Sequence, residues 1–139
     1  IHRLKQERGM MLQEFIPIEY DIRVIVLAGE IHGAMKRPVP SGDFRSNVHQ
    51  GSKPEKIELT ELEKKEVEIV LKAMKPRGGW IGVDLIPSKD REKESPYVLE
   101  VNSNPGLTGI EKTNPGITTM VFKYFKNRDN WGLDNSTSK

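Results

Sequence analysis

Cysteine is absent from the sequence, which removes several kinds of chemistry at once. Without a thiol, the chain can form no disulfide, use no thiolate nucleophile and build no Cys-ligated metal site. Histidine is also scarce, and His2, His32 and His49 are not spaced as metal ligands or as a catalytic base with its partner. Carboxylate, amide and basic side chains remain as candidates for a functional site.

Long apolar runs are missing too. No segment approaches the roughly 18–20 apolar residues of a membrane-spanning helix, and no signal-peptide pattern opens the chain. The 22 basic and 20 acidic side chains leave a net charge of +2, which is too small to indicate nucleic acid or a membrane surface as a partner. These features fit a cytoplasmic protein, and 139 residues suffice for one domain with a core.

Hydrophobic patterning predicts an α+β domain, in which two helices pack on one face of an antiparallel sheet and leave the other face for a ligand. Thr60 and Glu63 form a capping box at the start of the first helix, and Asn114-Pro115 resembles the start of the last one. We expect the domain to occupy residues 1–134, followed by a disordered polar tail at 135–139. The predicted strands cover residues 10–16, 20–28, 31–37, 80–86 and 97–102, and the predicted helices cover residues 60–75 and 114–127.

The second predicted hairpin carries two carboxylates and a carboxamide. Folding Trp80–Ile86 against Tyr97–Asn102 with their apolar faces together places Asp84 near Glu100 and Asn102. Like charges at that spacing repel unless a positive charge lies between them, and all three side chains offer the hard oxygen ligands that suit Mg²⁺. The same pattern is also compatible with a solvated polar face on a half-exposed hairpin.

The first predicted hairpin and the segment after it offer basic side chains. A two-residue turn at Gly29-Glu30 would pair Arg23 with Lys36 on one face. Both would be available there to contact phosphate or substrate, or would be ordinary exposed basic residues of a strand. Residues 38–56 form a long loop, and a loop of that length inside a compact domain is usually functional.

Five sequence blocks then follow one another between Gln13 and Glu111. They read QEFI at 13–16, DIR at 21–23, GDFRSN at 42–47, GVD at 82–84 and EVNSNPGLTGIE at 100–111. In this order they resemble the ATP-grasp superfamily, and within it the RimK-like ligases, which join glutamate to a protein or peptide carboxyl end. Departures occur at Gln50 and Ser52, where the family usually carries a basic residue and a glycine.

The resemblance implies a role for each matching residue. Asp84, Glu100 and Asn102 would hold two Mg²⁺ ions, with Mn²⁺ as a possible substitute, and Arg45 would stabilise the transferred phosphoryl group. Further ATP contacts would come from Ser46 and Asn47 in the same loop, from Glu14 and Phe15 at the adenine, and from Asp21 at the ribose. Arg37 and Lys36 would lie on the substrate side.

The resemblance also implies the activity. The chain would be the C-terminal lobe of an ATP-grasp fold and the catalytic part of an ATP-dependent carboxylate–amine ligase, with ATP, an amino acid such as glutamate and a protein or peptide carboxylate as partners. Residues before Gln13 cannot supply the N-terminal lobe that covers the phosphates, so we expect a fragment, or a half-site awaiting a partner, that binds Mg·ATP weakly and has no ligase activity alone. The alternative is a non-catalytic binding or assembly module that keeps the fold.

Overall fold

The computed structural model describes residues 14–39, 53–74, 79–127 and 130. The strands in these ranges are β1 (Tyr20–Leu27), β2 (Glu30–Pro38), β3 (Glu55–Lys56), β4 (Trp80–Ile86) and β5 (Tyr97–Asn102). The helices are α1 (Glu61–Met74), α2 (Thr108–Thr113) and α3 (Ile117–Lys126). None of the helices in the described ranges is long and apolar enough to cross a membrane.

All five strands belong to one antiparallel sheet, in the order β3-β2-β1-β4-β5. The predicted α+β class with an antiparallel sheet is therefore confirmed. The predicted strand at 10–16 is wrong in its described part, since residues 14–18 form no strand, and residues 10–13 lie outside the described ranges. The short strand β3 lies instead within the segment predicted as a long loop, where it pairs with Met35 and Lys36.

Helices cover both faces of the sheet, not one face as predicted. On the first face Val24, Val83 and neighbouring apolar residues pack against Val67 and Val70 of α1. On the second face Ile25 and Trp80 pack against Ile110, Ile117 and Val121 of α2 and α3. Because side chains alternate along a strand, burial on both faces makes the whole of β4 buried.

The α1 capping box is present as predicted. The backbone N–H of Thr60 donates to the Glu63 carboxylate at 2.9 Å, and the N–H of Glu63 donates to the Thr60 hydroxyl at 3.3 Å. Glu63 also accepts both prongs of the Arg91 guanidinium, at 2.7 and 2.8 Å. This pair ties the loop after β4 to the start of α1.

The predicted helix at 114–127 is wrong at its start. The Asn114 amide donates to the carbonyl of Ala34 at 3.1 Å, and Asn114 ends α2 instead of capping the start of the last helix. The chain instead forms α2 and α3, and Glu111 caps α3 by accepting the backbone N–H groups of Gly116 and Thr118, both at 2.8 Å. These hydrogen bonds favour the charged carboxylate, so the backbone of Gly116, then that of Thr118, holds the pKa of Glu111 below its ordinary value.

The register of β1 and β2 differs from the prediction by one residue near the site. The turn is at Ala28 and Gly29, both with positive φ, and a bulge follows between Ile25 and Val26. Arg23 consequently pairs with Met35 instead of Lys36, and Asp21 pairs with Arg37. The prediction that Arg23 and Lys36 share a face is therefore wrong.

Candidate functional site

Charged and polar side chains occupy the half of the second sheet face that α2 and α3 leave uncovered. We call this group the polar patch; its members are Asp21, Arg23, Arg37, Asp84, Glu100 and Asn102. The strand registers assemble it, because Asp21 pairs with Arg37, Arg23 with Asp84, and Asp84 with Glu100. Asn102 pairs with Gly82 and therefore lies on the same face, one step further along β5.

Arg37 joins two buried carboxylates. Its Nε and Nη2 donate to Asp21 at 2.7 and 2.6 Å, and Nη2 also donates to Asp84 at 2.8 Å. All three side chains are almost fully buried. Burial disfavours the guanidinium charge, but the hydrogen bond to Asp21 and the charge of Asp84 outweigh it and raise the pKa of Arg37. Arg37 thus remains a cation inside the sheet face.

Arg23 holds Asp84 from the other side. Its Nε donates to Oδ1 at 2.7 Å and its Nη2 donates to Oδ2 at 2.5 Å, in the bidentate geometry that favours strong pairs. The same Nη2 lies 3.9 Å from the Glu100 carboxylate, whose side chain is 55% exposed. Asp84 and Glu100 therefore have a positive charge beside them, as their spacing requires.

Asn102 and the loop after β5 are held in place by their neighbours. The Asn102 side-chain oxygen accepts the backbone N–H of Asn104 at 2.8 Å, which fixes the start of the loop. The Trp80 indole donates to the carbonyl of Pro105 at 3.1 Å. Gly82 allows this approach, because a Cβ there would lie 3.0 Å from the Pro105 Cβ.

The donor set of the polar patch fits Mg²⁺. Asp84, Glu100 and Asn102 offer carboxylate and amide oxygens from adjacent strands on one face, and Glu100 presents an accessible carboxylate. The described residues contain no group of three or more Asp, Glu, His or Cys side chains that could hold a metal by itself. A cation here would therefore have few protein ligands and need oxygens from a substrate, as Mg²⁺ commonly does with phosphates.

The structure brings some of the predicted site residues to the polar patch and leaves others away from it. Asp21 is fully buried and both of its oxygens accept from Arg37, which argues against direct contact with a ribose. Arg37 is buried as well, so its position does not suit contact with a substrate. Lys36 lies on the opposite face, paired with Glu55 at 3.6 Å and 4.6 Å from the centre of the Tyr20 ring.

Other predicted residues lie at or beyond the edge of the described chain. Glu14 and Phe15 belong to an irregular exposed segment, and Phe15 is 67% exposed. Arg45, Ser46 and Asn47 lie outside the described residues. Sequence reasoning missed the pairing of Arg23 with Asp84. No local signal reveals it, because this pairing joins β1 to β4, two strands that are distant in sequence and share no hairpin turn.

Two surface cavities do not coincide with the polar patch. One of about 420 Å³ is lined by residues 17–20 and 87–89, next to the Glu14-Phe15 segment. Another of about 260 Å³ lies along β2 and the residues after β3. Neither is lined by Asp84 or Glu100.

Comparisons with known proteins agree with this arrangement. A family model described as the RimK-like ATP-grasp domain matches residues 3–120. A protein from Psychromonas ingrahamii named "Probable alpha-L-glutamate ligase" is 40% identical over 122 residues, which are 85% of this chain and 38% of that protein. The chain therefore spans well under half the length of this relative.

Two solved structures share the fold. D-alanine–D-alanine ligase from Bacillus anthracis, complexed with ATP, aligns at a TM-score of 0.52 and 22% identity, over 78% of this chain and 38% of that one. The ATP-grasp ligase PsnB, complexed with precursor peptide PsnA2 and AMPPNP, aligns at a TM-score of 0.50 and 19% identity, over 78% and 33%. Identities this low establish likeness of fold alone.

Proposed function

This chain belongs to the RimK-like ATP-grasp domain family, and on that premise we propose that it forms the C-terminal catalytic part of an ATP- and Mg²⁺-dependent carboxylate–amine ligase in the cytoplasm. One observation carries the proposal: the strand register puts Asp84, Glu100 and Asn102 on one sheet face, in the half that the helices do not cover. Hard oxygen donors at the open end of such a face suit a nucleotide that arrives with its metal.

The proposed reaction has two steps. An oxygen of a substrate carboxylate attacks the γ-phosphorus of ATP, the bond from that phosphorus to the bridging oxygen breaks, and ADP leaves. The amine of an amino acid then attacks the acyl carbon, phosphate leaves with the bonding electrons, and loss of a proton from nitrogen gives the amide. Glutamate is the proposed amino acid because the relatives are named for it, and PsnB, whose fold is similar, was solved with a peptide, which supports a protein or peptide acceptor.

The described residues would act mainly by positioning and charge. Glu100 and Asn102, with Asp84, would hold two Mg²⁺ ions, which would neutralise phosphate oxygens when bound. Asp21 and Arg37 would fix the orientation of Asp84. Both are buried, and Arg37 donates hydrogen bonds to Asp21 and to Asp84. Asp21 would therefore position Asp84 and not contact the ribose, and Arg37 would do the same and not contact the substrate. Lys36 would take no part because it lies on the opposite face.

The remaining contacts are proposed from the family pattern. Phe15 would pack on the adenine, which its exposed ring supports, and Glu14 would bind the adenine amino group. Arg45 would stabilise the transferred phosphoryl group through its planar fork of N–H donors, with Ser46 and Asn47 binding phosphate oxygens.

Peptide glutamylation tests the proposal. The full-length protein would be incubated with Mg·ATP, glutamate and a mixture of short synthetic peptides with free carboxyl ends, and the peptides analysed by mass spectrometry. We expect a mass gain of one or more glutamyl residues that requires both ATP and glutamate. If the protein binds Mg·ATP but neither lengthens a peptide nor releases ADP, the alternative of a non-catalytic binding module is favoured.

A further inference from the structure

Arg23 directs both of its short hydrogen bonds to a proposed metal ligand. Its Nε and Nη2 donate to the two carboxylate oxygens of Asp84, at 2.7 and 2.5 Å. With the bond from Arg37, three N–H groups fill three of the about four acceptor positions of an ionised carboxylate. A divalent cation that binds Asp84 would therefore compete with the Arg23 guanidinium for the same carboxylate oxygens.

The two arginines that hold Asp84 are not equivalent. Arg37 donates two hydrogen bonds to Asp21 in addition to its bond to Asp84, and its side chain is 4% exposed. Among the described residues, Arg23 has no such second carboxylate within hydrogen-bonding distance, since Glu100 is 3.9 Å away. Its side chain reaches the rim of the polar patch and is 14% exposed. Arg23 can therefore leave Asp84 toward solvent at a lower cost than Arg37 can.

We propose that Arg23 is a positioning residue that competes with Mg²⁺ for Asp84, so that metal binding displaces the Arg23 guanidinium while Arg37 stays in place. The proposal rests on the proposed metal role of Asp84. Before the metal arrives, Arg23 keeps Asp84 and Glu100 from repelling each other across their directly paired strands. After displacement, Arg37 continues to neutralise the buried side of Asp84. The competition lowers the affinity for the metal below what the oxygen ligands alone would give.

Nε–Hε correlation spectra of the isotope-labelled full-length protein, titrated with Mg²⁺, test this displacement. In the part of the chain that the structure describes, three arginine Nε groups donate to carboxylates, namely Arg23 to Asp84, Arg37 to Asp21 and Arg91 to Glu63. We expect the Arg23 signal, identified by its loss in Arg23→Lys, to move to the position of a solvated guanidinium as Mg²⁺ is added. The Arg37 and Arg91 signals should stay where they are and serve as internal controls.

Metal affinity provides a second readout that does not depend on turnover. Mn²⁺ binding, measured by water-proton relaxation, should tighten roughly tenfold in Arg23→Gln, because the metal no longer displaces a charge-assisted pair. Lys64→Gln is the matched control, since it removes one positive charge from the exposed side of α1 on the opposite sheet face. Its affinity should equal that of the parent.

The outcomes separate this proposal from the one on which it rests. If Mn²⁺ binds the parent and Glu100→Gln abolishes the binding, but the Arg23 signal does not move or Arg23→Gln binds no more tightly, the competition is refuted and the metal site stands. If Mn²⁺ does not bind the parent protein at all, with or without ATP, both are overturned. Equal tightening in Lys64→Gln would show that net charge alone sets the affinity, which also refutes the competition.

Discussion

Asp84 and Glu100 lie directly opposite each other on β4 and β5, but only Asp84 is buried. Asp84 is fixed from beneath by Arg37 and from the side by Arg23, whereas the Glu100 side chain is more than half exposed. A divalent cation bound here would therefore have one ligand in a fixed position, Asp84, and one that is accessible from solvent, Glu100. Arg37 and Arg23 are thus as much a part of the site as its oxygen ligands.

Replacing Arg37 with methionine should destabilise the fold severely. The substitution leaves Asp21 without the cation that binds both of its oxygens, in a site from which water is excluded. Removal of one partner of a buried pair typically costs about 3–5 kcal/mol, and the free energy of unfolding in urea should fall by that amount. Lys72→Met, which breaks an exposed pair with Glu68, is the control and should change it by less than about 1 kcal/mol. A loss in Arg37→Met as small as in the control would disprove the structural role.

Gly82→Ala should disturb the loop that follows Asn102. The new methyl group would lie 3.0 Å from the Pro105 Cβ, closer than such carbons normally approach. We expect the free energy of unfolding, measured by circular dichroism in urea, to fall by about 1–3 kcal/mol. We also expect weaker Mn²⁺ binding. Gly106→Ala has nothing within 4 Å of the added carbon and should match the parent. Equal behaviour of the two variants would show that the loop does not depend on this close approach.

The Glu111 cap should make α3 sensitive to acid. Since the folded pKa of Glu111 lies below its ordinary value of 4.5, the carboxylate stabilises the fold above that value and stops doing so as the pH falls through the folded pKa. Glu111→Gln has no carboxylate to protonate. The difference in unfolding free energy between parent and variant should therefore shrink from about pH 5 down to about pH 3. Glu92→Gln, in the exposed loop after β4, is the control; if it shows the same trend, Glu111 has no special role.

The sequence was sufficient to predict features that depend on nearby residues. The alternation in β4 and β5 places Asp84, Glu100 and Asn102 on one face, because two short runs bounded by proline leave few registers to choose from. The capping box at Thr60 and Glu63 needs only residues three apart, and the structure contains it. Neither feature requires knowledge of distant parts of the chain.

Features that depend on tertiary contacts were predicted less well. The bulge between Ile25 and Val26 shifts the partner of Arg23 by one residue, which no alternation pattern reveals. Asn114-Pro115 has the local signature of a helix start, but the Asn114 amide binds the distant carbonyl of Ala34 and Glu111 caps the helix instead. The residue pattern also could not show that helices cover both faces of the sheet. Every residue of β4 is buried, whichever face its side chain lies on, so the pattern of this strand does not tell which face a helix covers.

The central claim is that the β4–β5 hairpin holds the metal for ATP-dependent ligation. The most direct test is to measure Mg²⁺-dependent ADP release by the full-length Glu100→Gln protein, with glutamate and peptide acceptors present. The amide has the shape of the carboxylate but not its charge, so the fold should survive while the rate falls roughly a hundredfold or more. Glu94→Gln, in the exposed loop between the same strands, should release ADP at the parental rate. A Glu100→Gln rate within a few-fold of the parent, with an intact fold, would contradict the claim.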